Sequence, residues 1–227
     1  MALQGRIIMV TGAAGILGGA VVEHLAGAGA IVLAVDFAPA IADRGQAASY
    51  AGVDLTNADA VVELMRAVGE RFGCLHGLAN IAGGFTWETV ADGTLDSWDR
   101  LYRMNVVTTL NASKAAAPLL ERHGGAIVNV GAAATAKAAA GMGAYTASKS
   151  GVARLTEAMA EEEKDRGVRV NAVLPSIIDT PVNRADMPDA EHDRWVAPQS
   201  LAKVVGFLLS DDANAITGAL VPVTGRV

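Results

Sequence analysis

Arg6-Ile-Ile-Met-Val-Thr11, followed at once by Gly12-Ala-Ala-Gly-Ile-Leu-Gly18, sets the architecture of this chain. Arg6–Thr11 is rich in β-branched and large apolar residues and reads as a strand. Ile16–Ala28 then carries Leu17, Val21, Leu25 and Ala28 on one helical face. Between the two, glycines at 12, 15 and 18 allow a tight turn and a close approach of backbone to a ligand. The helix N-terminus that follows is electropositive, so a pyrophosphate can rest against it. A glycine-rich connection can also serve plain packing. Its place between the first strand and first helix of a βαβ unit points to dinucleotide binding by Thr11, Gly12, Gly15, Ile16, Leu17 and Gly18.

Outward from that turn, short β-branched runs alternate with longer helical patterns. Ala30–Asp36 is a second strand, almost wholly apolar, as expected when both faces of a sheet are covered. Ser49–Val53 is a short third strand. Asn57–Phe72 is a helix with Val61, Met65, Val68 and Phe72 on one face. Leu75–Ala79 and Ala126–Val130 are strands separated by a helix near Leu95–Arg122. Met142–Arg166 is a helix, Val168–Leu174 a strand, Pro198–Ser210 a helix and Leu220–Val223 a last strand. The alternation predicts an α/β fold, a doubly wound parallel sheet of the Rossmann type, as a single domain over 1–227. Thr180–Ala197 breaks the rhythm with Pro181, Pro188 and a dense mix of charges around Met187 and Trp195. It reads as a substrate loop at about 180–197, because ligands of open α/β sheets bind beyond the carboxyl ends of the strands. A solvated excursion with two anchoring side chains is the alternative.

Asp36 ends the second strand, where its carboxylate can accept both hydroxyls of an adenosine ribose and would repel a 2′-phosphate. Phe37 beside it offers no cation and Arg44 is the only one near, so NAD(H) is favoured over NADP(H). Asp54 and Leu55 follow the third strand and can hold the adenine edge; Asp54 reads equally well as a turn carboxylate. Asn80, Ala82 and Gly83, at the end of the fourth strand, are small enough to let backbone pass beside the cofactor. Tyr145 and Lys149 stand four residues apart in a helical stretch and so share a face. An ammonium held beside a phenol favours the phenolate and draws its pKa toward neutrality, which makes the pair a proton-transfer device.

Bulk properties narrow the classes. The 227 residues are 52% apolar, enough to bury a sizeable core, and only 4% aromatic. With 18 Lys and Arg against 24 Asp and Glu, the formal charge is −6 and no basic block occurs, which argues against nucleic acid and anionic membrane as partners. Cys74 is the only cysteine, so no intrachain disulfide forms and a reducing cytoplasm is the expected compartment. Met1–Arg6 lacks the pattern of a signal peptide. His24, His76, His123 and His192 are scattered without ligand spacing, so no metal is expected.

Taken together, Thr11–Gly18, Asn80-Ile-Ala-Gly83, Asn105, Ile127-Val-Asn-Val130, Tyr145 with Lys149, and Asn171-Ala-Val-Leu-Pro175 resemble the short-chain dehydrogenase/reductase family in its single-domain branch. The resemblance implies a nicotinamide-dependent enzyme acting on a small molecule, with Tyr145 as acid/base. It implies that Lys149 binds the nicotinamide ribose, that Asn105 supports a relay water, and that Pro175 and Thr180 lie at the nicotinamide. It also implies a homo-oligomer, dimer or tetramer, through the long helices; Ala112, Ala115, Ala116 and Ala153 would permit close helix contact, between chains or within one.

One position departs from the family. Where it usually places a serine bonded to the reacting oxygen, thirteen residues before the tyrosine, this chain has Ala132. Thr135 and Lys137 are the nearest replacements. Dihydropteridine reductases, within the same family, also lack that serine, and Ala82-Gly-Gly-Phe85, Gly141-Met-Gly-Ala-Tyr145 and Asp179-Thr-Pro-Val-Asn-Arg184 are similar to theirs. Three functions are therefore weighed: a ketone reductase or alcohol dehydrogenase, a quinonoid-dihydropteridine reductase using NADH, and an NAD-binding regulator without turnover, for which Ala132 is the one argument.

Overall fold

The computed structural model describes residues 3–227; Met1 and Ala2, which open the run read above for a signal peptide, lie outside them. Strand β1 (Ile7–Thr11) leads through the glycine turn into α1 (Ile16–Gly27), then β2 (Ile31–Val35), β3 (Ala48–Tyr50), α2 (Ala58–Phe72) and β4 (Gly77–Asn80). Next come α3 (Leu95–Tyr102), one turn of π-helix (Arg103–Val107), α4 (Thr108–Leu120), β5 (Ala126–Val130) and α5 (Gly143–Glu163). The chain closes with β6 (Arg169–Pro175), α6 (Pro181–Asp186), α7 (Pro198–Leu209) and β7 (Leu220–Val223). All seven strands are parallel in the order β3-β2-β1-β4-β5-β6-β7. The order reverses at β1, so a crevice opens above the carboxyl ends of β1 and β4.

The period-2 pattern of the strands builds two cores. Ile8 and Val10 of β1, with Val32 and Ala34 of β2, pack under α1 and α7 against Val21, Leu25, Leu201 and Val205. Met9, Leu33 and Val35 point the other way, toward Val61, Leu64 and Met65 of α2 and Leu119 and Leu120 of α4. Burial on both faces explains why these strands are apolar at every position. Helix α2 starts where the Asn57 side chain accepts from the backbone N–H groups of Asp59 and Ala60, and stops at Gly73, whose φ of +80° suits glycine.

One expectation changes, one open alternative is decided and one segment gains detail. The continuous helix over Leu95–Arg122 is two helices joined by the π turn, a widening that hydrophobic spacing does not register. Ala112 and Ala116 of α4 are spent in the chain's own second core, and Ala153 is buried too, so they are closed to a partner. The segment after β6 is not a bare loop: Thr180 Oγ1 accepts from Asn183 N to cap α6, and Met187 ends that helix before Pro188. Its base is pinned where Val196 N donates to Ile177 O and Asp179 N donates to Val196 O, both 2.9 Å, with Trp195 buried beside it.

Candidate active site

A cavity of about 1110 Å³ lies in the crevice above β1 and β4. Gly12, Gly15, Ile16, Leu17 and Gly18 line one side of it, Asp36 and Phe37 one end, Asp54 and Leu55 the flank, and Ala82, Gly83 and Thr180 the floor. Most residues expected at a cofactor thus share one groove; Thr11, Asn80, Lys149 and Pro175 do not line it. The turn is built for close approach. Gly12 has φ +66°, and a Cβ there would stand 2.7 Å from Ala82 N, while a Cβ on Gly18 would overlap Gly12 O. No side chain caps α1 and no acidic residue occupies its first turn, so the N–H groups at its start have no side-chain acceptor, and Gly15, Ile16, Leu17 and Gly18 line the cavity. An anionic pyrophosphate fits that donor set.

Asp36 holds itself in place: its Oδ2 accepts from Ala14 N at 2.9 Å and its Oδ1 from Ala38 N at 2.8 Å. Arg44 does not line the cavity; its guanidinium lies against Gly19 and pairs with Glu23 at 3.3 Å. Asp54 Oδ1 accepts from Thr56 N and Thr56 Oγ1, the turn role weighed as its alternative, and the residue also lines the groove.

Thr11, Asn80 and Pro175 are placed differently from expectation. Thr11 is buried beneath the groove, where its Oγ1 accepts from Ile81 N and Ala82 N and donates to Ala79 O, tying β1 to β4. Asn80 donates through Nδ2 to Ser113 Oγ and Asn129 Oδ1, and Asn129 donates to Thr156 Oγ1. That buried chain of polar groups stitches α4, β4, β5 and α5 together. Pro175 is buried at the end of β6 and does not line the cavity. Each is a small or polar residue at a strand end, and a sequence does not say whether such a residue faces ligand or scaffold.

Tyr145, Lys149 and Asn105 gather just past the floor. A Cβ on Gly83 would stand 2.6 Å from Asn105 Oδ1 and 3.3 Å from Lys149 Nζ, and the Phe85 ring meets the Tyr145 ring edge-on at 4.9 Å. The expected sign of their electrostatics is corrected. Burial pushes the Tyr145 phenol up to about 12 and the Lys149 amine down to about 8. Lys149 Nζ donates to Val130 O at 2.8 Å, and no hydrogen bond joins it to the phenol among the described residues. Desolvation is the cause of both shifts.

Asn105 is fully occupied through its side chain. Its Oδ1 accepts from Gly84 N at 3.0 Å, and its Nδ2 donates to Gly84 O at 3.1 Å and Ser148 Oγ at 3.0 Å. The amide ties the π turn to Gly84 and to Ser148 of α5. Ser148 was missed by the sequence reading. Its hydroxyl donates to Tyr145 O at 2.7 Å while accepting from Asn105, so one serine joins the π turn to the Tyr145 helix. The signal available was a polar residue on the buried stripe Ser148, Val152, Thr156 of α5. Arg100, Arg103 and Met104 also line the groove without having been singled out.

Neither replacement for the absent serine reaches the phenol as a donor. Ala132 is buried, Thr135 Oγ1 donates to Ala132 O at 2.8 Å, and Lys137 is exposed. Among the described residues no group of three or more His, Cys, Asp and Glu could hold a metal, and no helix is long and apolar enough to cross a membrane.

Residues 6–191 match the family model described as short chain dehydrogenase. The 2-(S)-hydroxypropyl-CoM dehydrogenase 3 of Xanthobacter autotrophicus is 34% identical over 98% of this chain and 96% of its own length. The meso-2,3-butanediol dehydrogenase of Serratia marcescens is 31% identical over 99% and 95%. A solved short-chain type dehydrogenase/reductase from Mycobacterium ulcerans superposes with a TM-score of 0.91 at 30% identity, over 100% of this chain and 90% of that one. None of these three is a dihydropteridine reductase, and they add nothing to the local likeness noted for that enzyme.

Proposed function

The chain belongs to the short-chain dehydrogenase/reductase family, and from that premise we propose that it is an NAD(H)-dependent oxidoreductase acting on a small carbonyl or alcohol substrate. The observation that carries this reading is the nearness of the groove to the pair. The glycine turn, Asp36 and Gly83 line the groove, a Cβ on Gly83 would stand 3.3 Å from Lys149 Nζ, and Phe85 meets the Tyr145 ring edge-on. Bound nicotinamide would supply the hydride. The leading N–H groups of α1 would receive the pyrophosphate, and Asp36 would accept from the adenosine ribose hydroxyls. Arg44 does not line the groove and pairs with Glu23, and the cations that do line it, Arg100 and Arg103, belong to α3 and the π turn rather than to the loop after β2, which favours NADH over NADPH.

Tyr145, pushed up to about 12, keeps its proton at neutral pH and so serves first as the acid that protonates a developing alkoxide. Lys149, beside Gly83, would bind the nicotinamide ribose. A charge held there would bring the phenol down for the oxidative direction. Asn105 and Ser148 position the two by fixing Gly84 and the backbone of Tyr145. The lone free Cys74 suits a reducing cytoplasm.

Tyr145→Phe tests the reading. NADH oxidation with a carbonyl substrate should fall by about 10³-fold or more, while titrations show NADH affinity nearly unchanged and tighter than NADPH. Full turnover in the variant would refute Tyr145 as the acid, and a wild type that binds NADH without any turnover would leave a regulator. Ala132 favours a second reading, because a conjugated quinonoid dihydropterin needs no serine on an isolated carbonyl oxygen. Reduction of such a pterin but of no ketone would select it.

A further inference from the structure

We propose that the substrate carries an apolar aromatic ring next to its reacting carbon, seated on Phe85 and Trp87; the inference rests on the oxidoreductase reading and names its substrate class. Phe85 meets Tyr145 at right angles, with centroids 4.9 Å apart, yet remains 51% exposed. Trp87 is 62% exposed and lies over Gly141, four residues before Tyr145, where any Cβ would overlap the indole. The two loops are zipped together, since Glu88 N donates to Gly141 O at 2.8 Å and Glu88 pairs with Met142 as a parallel bridge. The loop that carries both rings is therefore paired with the segment leading into the helix that bears the phenol.

Ala132, where the family usually has a serine, is buried and carries only a methyl group, and the Thr135 hydroxyl donates to Ala132 O, so neither offers a free donor to a substrate. Two large exposed aromatic side chains next to a reacting group call for an occupant. A flat ring matches them, because aromatic pairs gain from offset or edge-on contact beyond the area they bury. In the reductive direction an aryl ketone takes a hydride at its carbonyl carbon from NADH and a proton at its oxygen from Tyr145 Oη. The products are the secondary alcohol, NAD and a tyrosinate that solvent reprotonates.

Acetophenone and 2-octanone have equal carbon number and separate a ring from a chain. With the full chain and NADH, kcat/KM for acetophenone should exceed that for 2-octanone by about tenfold or more. Phe85→Leu, which keeps bulk and loses the ring, should narrow the gap to about threefold or less, and Phe85→Leu with Trp87→Leu should close it. Cofactor affinity measured by titration should stay unchanged in both variants. Equal use of the two ketones by the wild type overturns the proposal, as does a preference that survives the double variant. Reduction of a quinonoid dihydropterin with neither ketone used also overturns it. Failure to bind either NADH or NADPH is a different result, which removes the oxidoreductase reading beneath it.

Discussion

Burial acts on Tyr145 and Lys149 in opposite directions, raising one and lowering the other, and the two shifts are separable by pH. Lys149 falls from 10.5 to about 8, so between those values the unfolded chain holds the lysine proton while the folded chain releases it. Stability therefore rises with pH across that window, and below it the full cost of burying the charge is present. Tyr145 works the other way above pH 10, where the unfolded chain loses a proton that the folded chain keeps up to about 12. Lys149→Met removes the first effect only. In urea unfolding, the stability of the wild type relative to this variant should improve by roughly 3 kcal/mol from neutral pH to pH 10.5. A difference that does not move with pH would refute a charged, desolvated amine at that position. At this scale the sequence marked Tyr145 and Lys149 as a pair on one helical face but not the direction in which their surroundings shift them. Tyr145 and Lys149 are recognisable by spacing, whereas their burial depends on how distant parts of the chain pack around them.

The elements around the crevice were legible to the extent that local chemistry sets them. The glycine turn declares itself through three glycines at fixed offsets, and α2 through Asn57 and Gly73 at its ends. The π turn did not, because Asn105 is pulled into place by Gly84 and Ser148, partners 21 and 43 residues away. The glycines of the turn are also unequal. A methyl group on Gly18 would overlap Gly12 O, and backbone cannot move aside without opening the turn; on Gly15 it would stand 3.3 Å from the same oxygen. Gly18→Ala should thus weaken NADH binding by about a hundredfold or more and lower the thermal midpoint, while Gly15→Ala should cost about tenfold or less. Isothermal titration of both variants checks the order, and equal losses would mean that flexibility, not close approach, is what the turn requires.

At the scale of the molecule, the order of seven parallel strands follows from alternating strand and helix patterns, but the surface that meets a partner does not follow from small residues. Ala112 and Ala116 suited contact between chains or within one, and they lie in the chain's own second core. Large apolar residues left in solvent are the better guide. Leu95, Trp98 and Tyr102 are all exposed on α3 at spacings of three and four, one helical stripe, and Leu110 is exposed further along on α4. Gly151 of α5 lies against Val106 and Tyr102, so the N-terminal part of α5 borders that stripe. A second copy related by a two-fold axis would cover such a face with the same face. We therefore expect a dimer or tetramer whose contact runs along α3, α4 and α5. Leu95→Lys with Tyr102→Glu places charges in that contact while leaving both cores intact. Sedimentation velocity at micromolar concentration should shift from a multiple of 23.2 kDa to the single-chain mass, with unchanged circular dichroism. A wild type that sediments as one chain would refute the interface, and a variant that stays assembled would move it to another face.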